Sequence, residues 1–574
     1  MKPFRSSHIV WLLSIPALVM ACGSPLVLHV DDGSAGGAAP AGGGGNGGNG
    51  NGGNGPASGG KGTGSEPSGT GSATSDGGTG PSAGGSGGGS SEAGGSGGSM
   101  DGVGGDGPSA GGAPGTGGGP AEPEPSLITS GKGDYWRVGE VTEGGSSANV
   151  TVNDSDMKQD WLGFGGTVNE KGWEALLALS EADRALAMKL LFDKNAGAGF
   201  SYGRIPIGSS DYAKDRYSLN ETNGDYAMAN FSIARDKQLL IPYIQAANAV
   251  KPDIHWWASP WSPPTWMKSN NAFDRGSMKS DAQTLTAHAL YLHKFVDAYK
   301  AENIDVFAVF PQNEPGYEQD YPSCAWSADT MKTYISTYLG PELEDTGIEI
   351  WLGTLSNSTA DQTVGTASMN DANAKKYIKG VGLQWGMEQN VGSYTGKGVS
   401  VMQSEHKCGN YPWLSSTASS VDAANRDNFL SSQAPNNHAY GEESWDLIKS
   451  WIEKGVNIYS AWNMVLDTKG FSIDTKRPWP QNALLAVDTA GKKLIQTPAY
   501  YVFRHVAQYV EPGAKRVGVT GGNALAFKNP DGSIVTILFN AGQSAAATTL
   551  SVGGKMLQFS VPGRGWATVN HQPG

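Results

Sequence analysis

Between residues 161 and 497 the chain repeats one pattern: a short apolar run, a turn of glycine and polar residues, then apolar residues at helical spacing. Eight such runs stand out: Trp161–Gly166, Phe200–Pro206, Ile254–Ala258, Ile304–Phe310, Ile348–Leu352, Val381–Trp385, Val399–Gln403 and Asn457–Trp462. Short continuous apolar runs alternating with helical patterns read as parallel strands covered on both faces by their crossover helices. The clearest helix precedes the fourth run, where Leu285, His288, Ala289, Leu292, Phe295, Val296 and Tyr299 form one broad stripe. His288 within that stripe reads as a satisfied core histidine rather than a ligand. Further helical patterns cover Trp173–Phe192, with a capping-box-like restart at Ser180-Glu-Ala-Asp183, and Lys237–Val250. The whole predicts an α/β chain with a (β/α)₈ TIM barrel over 161–497. After Pro498 the pattern changes to short β-like runs, at Ala524–Phe527, Ser533–Phe539 and Trp566–Val569, separated by Asn-Pro-Asp-Gly and Gly-Gly turns. They predict a side β-sandwich over 498–574, joined by strands from 126–160 near Tyr135–Val138 and Asn149–Val152.

The N-terminal part reads differently. Lys2 and Arg5 precede an apolar run, Ile9–Met20, too short for a confident membrane-spanning helix and of the length of an export signal. The run closes on Leu18-Val-Met-Ala21-Cys22, which resembles a bacterial lipobox and implies a signal peptide over 1–21 and lipidation of Cys22. The stretch 22–125 is dominated by Gly, Ser, Ala, Asn, Pro and Thr. Without apolar side chains to offset the entropy of ordering, it reads as a disordered tether with a reach of about 50–60 Å. The expectation is an exported protein, at the cell surface or in the periplasm, that meets a membrane only through Cys22. The net charge of −13 speaks against an electrostatic grip on nucleic acid. Besides Cys22, the chain has Cys324 and Cys408, whose spacing leaves pairing open; no Cys/His ligand spacing suggests a metal.

The chemistry is carried by two strand ends. The fourth strand runs into Pro311-Gln-Asn-Glu-Pro315, and the seventh into Ser404-Glu405-His406. Taken singly, each is an ordinary strand-ending turn. In a (β/α)₈ barrel, however, both deliver a glutamate to the C-terminal face, where active sites of this fold lie. Two facing carboxylates are what glycosidic bond cleavage requires: one protonates the leaving oxygen and the other acts on the opposite face of the sugar. Asn313 is placed to hydrogen-bond the sugar 2-hydroxyl, and Arg204, at the end of the second strand, to hold a carboxylate ionised by a bidentate contact. Trp261, Trp266, Trp385 and Trp462 lie at strand ends as candidate platforms for sugar faces; about half of them are expected to line the cleft.

Several of these runs resemble glycoside hydrolase family 30, the glucosylceramidase family: Tyr202-Gly-Arg-Ile-Pro-Ile-Gly-Ser-Ser-Asp-Tyr212, Ala258-Ser-Pro-Trp-Ser-Pro-Pro-Thr-Trp266, Asn313-Glu314-Pro315, Ser404-Glu405, Gly163-Phe-Gly-Gly166 and Trp462-Asn463. They occur in order from about Asp134 onward. The resemblance implies a retaining β-glycosidase that needs no cofactor, with Glu314 as acid/base and Glu405 as nucleophile. It also implies that Asp211, Trp261 and Asn313 touch the sugar, Asp211 at the outer hydroxyls of a terminal glucose. One departure stands out. After the sixth strand such enzymes usually show a His-x-Tyr element, whereas this chain reads Leu383-Gln-Trp-Gly-Met387. The expected substrate is a β-linked glucoside or glucan. The alternatives are an endo-β-1,6-glucanase of wall polysaccharide and, in another class, a non-catalytic surface sugar-binding protein.

Overall fold

The computed structural model describes residues 126–407, 437–476 and 480–572; Cys22, the signal and tether segments, and Cys408 lie outside them. Eight parallel strands close into a barrel in chain order: Gly163–Thr167, Tyr202–Ile207, His255–Pro260, Val306–Val309, Glu349–Leu355, Ile378–Gln384, Ser400–Glu405 and Ile458–Asn463. Each overlaps one of the eight apolar runs.

The crossovers are less regular than the strands. The pattern over Trp173–Phe192 resolves into two helices, Glu170–Leu177 and Glu181–Phe192. Ser180 ends the break by accepting the Asp183 N–H, as the capping signal requires. The helix before the fourth strand spans Ala282–Ala301 and is capped by Asp281. His288 is buried within it, bonded through Nδ1 to the Tyr334 hydroxyl, and burial pushes its pKa down to about 3. The sixth crossover holds only the 3₁₀ turn Glu388–Ser393. The eighth is the helix Pro498–Ala507, capped by Thr497 and packed on the helix His438–Lys454. That helix corrects the boundary at 498. Pro498 is not the start of the sandwich but the first residue of the last barrel helix, a position where its fixed φ and missing N–H cost nothing. A three-stranded sheet, Val465–Asp467, Leu485–Asp488 and Lys493–Gln496, precedes it and had no counterpart in the sequence pattern.

The remaining strands form one ten-stranded sheet that wraps a second core. Ser126–Gly131 pairs with the final strand, Gly565–His571, and Val150–Asp160 pairs with Lys515–Thr520, so both ends of the described chain share this β-sandwich. Leu127, Val152, Val517, Leu550, Leu557 and Phe559 are among the side chains inside it. Among the described residues no helix is long and apolar enough to cross a membrane.

The first barrel strand, Gly-Phe-Gly-Gly-Thr, owes its glycines to close approach. A Cβ on Gly165 would stand 2.2 Å from the Tyr202 carbonyl oxygen, a backbone atom that cannot swing away. Gly165→Ala should therefore destabilise the protein by about 1–3 kcal/mol or more, as overpacking does; a thermal melt at the wild-type midpoint would refute this.

Candidate active site

The polar centre of the barrel is built around Arg204, which lies in the middle of the second strand and is fully buried. Its Nη1 donates to Glu405 Oε2 at 2.8 Å, and its Nη2 donates to Asn313 Oδ1 at 2.6 Å and to Ser259 Oγ at 3.0 Å. The bidentate contact expected with one carboxylate is therefore not formed. The guanidinium spreads its donors over the third, fifth and seventh strands and the turn after the fourth, because the barrel brings four acceptors within its reach, Thr354 Oγ1 at 3.5 Å among them. Its central carbon lies 4.2 Å from the Trp261 ring, 5.0 Å from Trp257 and 5.2 Å from Trp462. This aromatic surround suits a delocalised, weakly hydrated cation.

Glu405 is the last residue of the seventh strand. Besides Arg204, its Oε2 accepts from Gln384 Nε2 at 3.0 Å, and Gln384 closes the sixth strand. Trp385 follows directly, its backbone N–H donating to the Glu405 carbonyl. Its indole N–H is buried without a hydrogen-bond partner, yet it helps favour the charged form of Glu405.

Asn313 and Glu314 lie beyond the fourth strand, on a turn tied to its neighbours: Asn313 N–H donates to the Pro260 carbonyl and Glu314 N–H to the Thr354 carbonyl. Asn313 Oδ1 accepts from Arg204, from Thr354 Oγ1 at 2.7 Å and from Gln384 Nε2 at 3.1 Å. With the oxygen saturated, the amide orientation is settled, and Nδ2 is the group left to donate. Its one contact, to Glu314 Oε2 at 3.5 Å, is long. Glu314 has φ +45°, the left-handed region that non-glycine residues rarely occupy, and such strain clusters at functional sites. Its Oε2 accepts from the Tyr321 hydroxyl at 3.3 Å.

The two glutamates thus differ electrostatically. Burial, then the Glu405 charge, hold the Glu314 carboxyl well above its usual range. Burial also raises Glu405, but the Arg204 cation and its hydrogen bond pull it back down. The surroundings therefore favour the charged form more at Glu405 than at Glu314.

Asp211, in the loop after the second strand, is buried with Oδ1 unpartnered, and its backbone carbonyl accepts from Ile473 N–H. Burial and the Glu405 charge hold its carboxyl well above the usual range. Trp261 and Trp462 stack on one another with centroids 5.2 Å apart and share a cluster with Tyr212 and Tyr321. Trp266 does not join them. It belongs to the main hydrophobic core, its indole N–H bonded to the Asn220 carbonyl.

Arg204, Asn313, Glu405, Glu314, Trp261 and Trp462 come together through these contacts, and Trp385 and Asp211 bear on the same carboxylates. Sequence reasoning missed Gln384, Thr354, Ser259 and Tyr321. The first three carried a usable signal, each a polar side chain near the C-terminal end of an otherwise apolar strand. Tyr321 sits in a long loop and carried none. Gln384 falls where the chain departs from the His-x-Tyr pattern and itself supplies a donor to Glu405.

Comparisons with known proteins agree with this fold. The glycosyl hydrolase family 30 TIM-barrel domain matches residues 161–510, and the family 30 beta sandwich domain matches residues 513–569. The mouse lysosomal acid glucosylceramidase is 26% identical over 459 residues, covering 74% of this chain and 86% of that protein. The endo-1,6-beta-D-glucanase BGN16.3 of Trichoderma harzianum is 25% identical over 433 residues, covering 70% of this chain and 82% of that protein. Among solved structures, the endo-beta1,6-glucanase BT3312 superposes with a TM-score of 0.66 at 22% identity, over 79% of this chain and all of the other.

Proposed function

Because the chain belongs to glycosyl hydrolase family 30, we propose that this glycoside hydrolase cleaves β-glucosidic bonds with retention, Glu405 acting as nucleophile and Glu314 as acid/base. The observation that carries the role assignment is the asymmetry of the two carboxyls. Glu405 accepts hydrogen bonds from a buried arginine and from Gln384, whereas the side chains that donate to Glu314 are the neutral Tyr321 and Asn313. A nucleophile must be ionised and a general acid protonated, and these surroundings favour that division. Glu405 attacks the anomeric carbon while Glu314 passes its proton to the leaving oxygen. Glu314, now ionised, takes a proton from water, which displaces Glu405 and releases the sugar. Asn313 Nδ2 donates to the 2-hydroxyl, and Asp211 takes outer hydroxyls. Trp261, Trp385 and Trp462 border the sugar.

The glucosylceramidase-like reading is favoured by several relatives of that name, each matched over most of its length. The endo-1,6-glucanase reading is favoured by the two fungal relatives. We further propose that the enzyme is exported and held by lipid on Cys22, on the strength of the Ile9–Met20 run and the lipobox-like residues before Cys22. The test is to give the enzyme an aryl β-glucoside, glucosylceramide and a β-1,6-glucan in parallel and to size the products by chromatography. Glucose from the first two is the expected result. Oligosaccharides from the glucan alone would move the function to the endo-glucanase reading, and no product from any would refute the proposal.

A further inference from the structure

The helix Thr359–Asn370, which follows the fifth barrel strand, presses its first turn against the turn that carries Glu314. A Cβ on Gly316 would meet the Asp361 backbone nitrogen at 2.5 Å and the Ala360 Cβ at 2.6 Å, so only glycine allows this approach. At the contact, Gly316 N–H donates to Asp361 Oδ1 at 2.6 Å. Oδ2 of the same carboxylate accepts from the Ser356 backbone N–H at 2.9 Å and from the Ser356 hydroxyl. Asp361 is itself completely buried, and its backbone N–H is capped by Ser358 Oγ at 3.1 Å. A carboxylate in the first turn of a helix, accepting three N–H or O–H bonds, is held in one geometry, and these bonds favour its charged form against the burial that opposes it.

We propose that Asp361 is a positioning residue for the acid step: it clamps the Glu314-Pro315-Gly316 turn and, through its buried negative charge, keeps Glu314 protonated until the leaving oxygen takes the proton. This rests on the assignment of Glu314 as acid/base. The groups that bear on Glu314 are Glu405 from the seventh strand, Asp211 from the loop after the second, Arg204 from the second, Tyr321 from its own loop, and Asp361. After burial and Glu405, Asp361 is the strongest of those that raise it. Asp361 is in turn faced by Tyr394, from the end of the 3₁₀ turn after the sixth strand. Burial raises its own carboxyl to about 6, so above that pH it carries the charge. Asp361 touches neither of the two glutamates by a hydrogen bond; it acts through the Gly316 clamp and through charge.

The test is Asp361→Asn, which keeps an acceptor for Gly316 N–H and removes the charge. Without the charge Glu314 ionises more readily, so the alkaline limb of kcat/KM for an alkyl β-glucoside should move down by roughly 0.5–1 pH unit. A dinitrophenyl β-glucoside, whose leaving group departs without a proton, should suffer less, by about ten-fold, than the alkyl glucoside. Ser356→Ala removes one donor from Asp361 and leaves the clamp in place. It should shift the same limb in the same direction by less, which keeps the inference falsifiable should Asp361→Asn fail to fold. An unmoved limb in the folded variants, or equal losses on both substrates, would overturn the inference and leave Asp361 a purely structural cap. Failure of the parent reading looks different: the wild type itself would turn over neither glucoside, and both would fall together.

Discussion

Glu405→Gln is expected to lower kcat on an aryl β-glucoside by about 10⁵-fold, ~7 kcal/mol of lost transition-state stabilisation, while the protein stays folded. The amide is nearly isosteric with the carboxylate and still offers an oxygen to Arg204 Nη1, so the barrel loses a charge but not a shape. What disappears is the nucleophile: an amide cannot form the glycosyl ester and then leave. The check pairs kcat with a thermal melt, the midpoint moving by no more than a few degrees. The wild type, given a glucoside with fluorine at carbon 2 that slows hydrolysis of the intermediate, should accumulate a covalent adduct whose mass maps to Glu405. An adduct on another residue, or an unimpaired variant, would withdraw the assignment.

Arg204→Met should cost both activity and stability. The guanidinium makes hydrogen bonds to Glu405, Asn313 and Ser259 from a fully buried position. Removing one partner of a buried pair leaves the other charge uncompensated, at about 3–5 kcal/mol. Glu405 relieves part of this by taking up a proton, and that sets the sign of the pH effect. Arg204 is what draws the Glu405 pKa down, so without it the pKa rises, and the acidic limb of kcat/KM moves to higher pH. The expected fall in kcat/KM at neutral pH is about 10³-fold, ~4 kcal/mol. A stable Arg204→Met enzyme with an unmoved acidic limb would show that Glu405 owes its charge to Gln384 and Trp385 instead.

Much of this site was legible before any coordinate. Asn313-Glu314 and Ser404-Glu405 stand at the ends of apolar runs, and a strand end is a local property that a short window of sequence reports. Arg204 stood out as a cation read at the end of an apolar strand, though it lies in the middle of Tyr202–Ile207. Its bonding did not, because a guanidinium offers five donors and the sequence cannot say which acceptors surround it. Trp266 shows the same limit in reverse. It sits at a strand end like Trp261, yet its indole turns into the core to meet the Asn220 carbonyl. The helix Pro498–Ala507 was hidden for a different reason: proline begins helices as readily as it breaks them, and only the neighbouring Thr497 cap tells the two apart.

By itself, then, the sequence determined the eight-fold alternation, the second β-rich unit and the two glutamates, all of which depend on spacing along the chain. The resemblance implied which glutamate attacks and which gives the proton; only the tertiary structure supplied the difference in surroundings, with Glu405 beside Arg204 and Gln384 and Glu314 beside Tyr321. It alone joined Gln384, Thr354 and Ser259 to Arg204 and Asn313, and set Asp361 behind the Glu314 turn. These are properties of distance and burial between residues far apart in sequence, and closure of the barrel is what creates them.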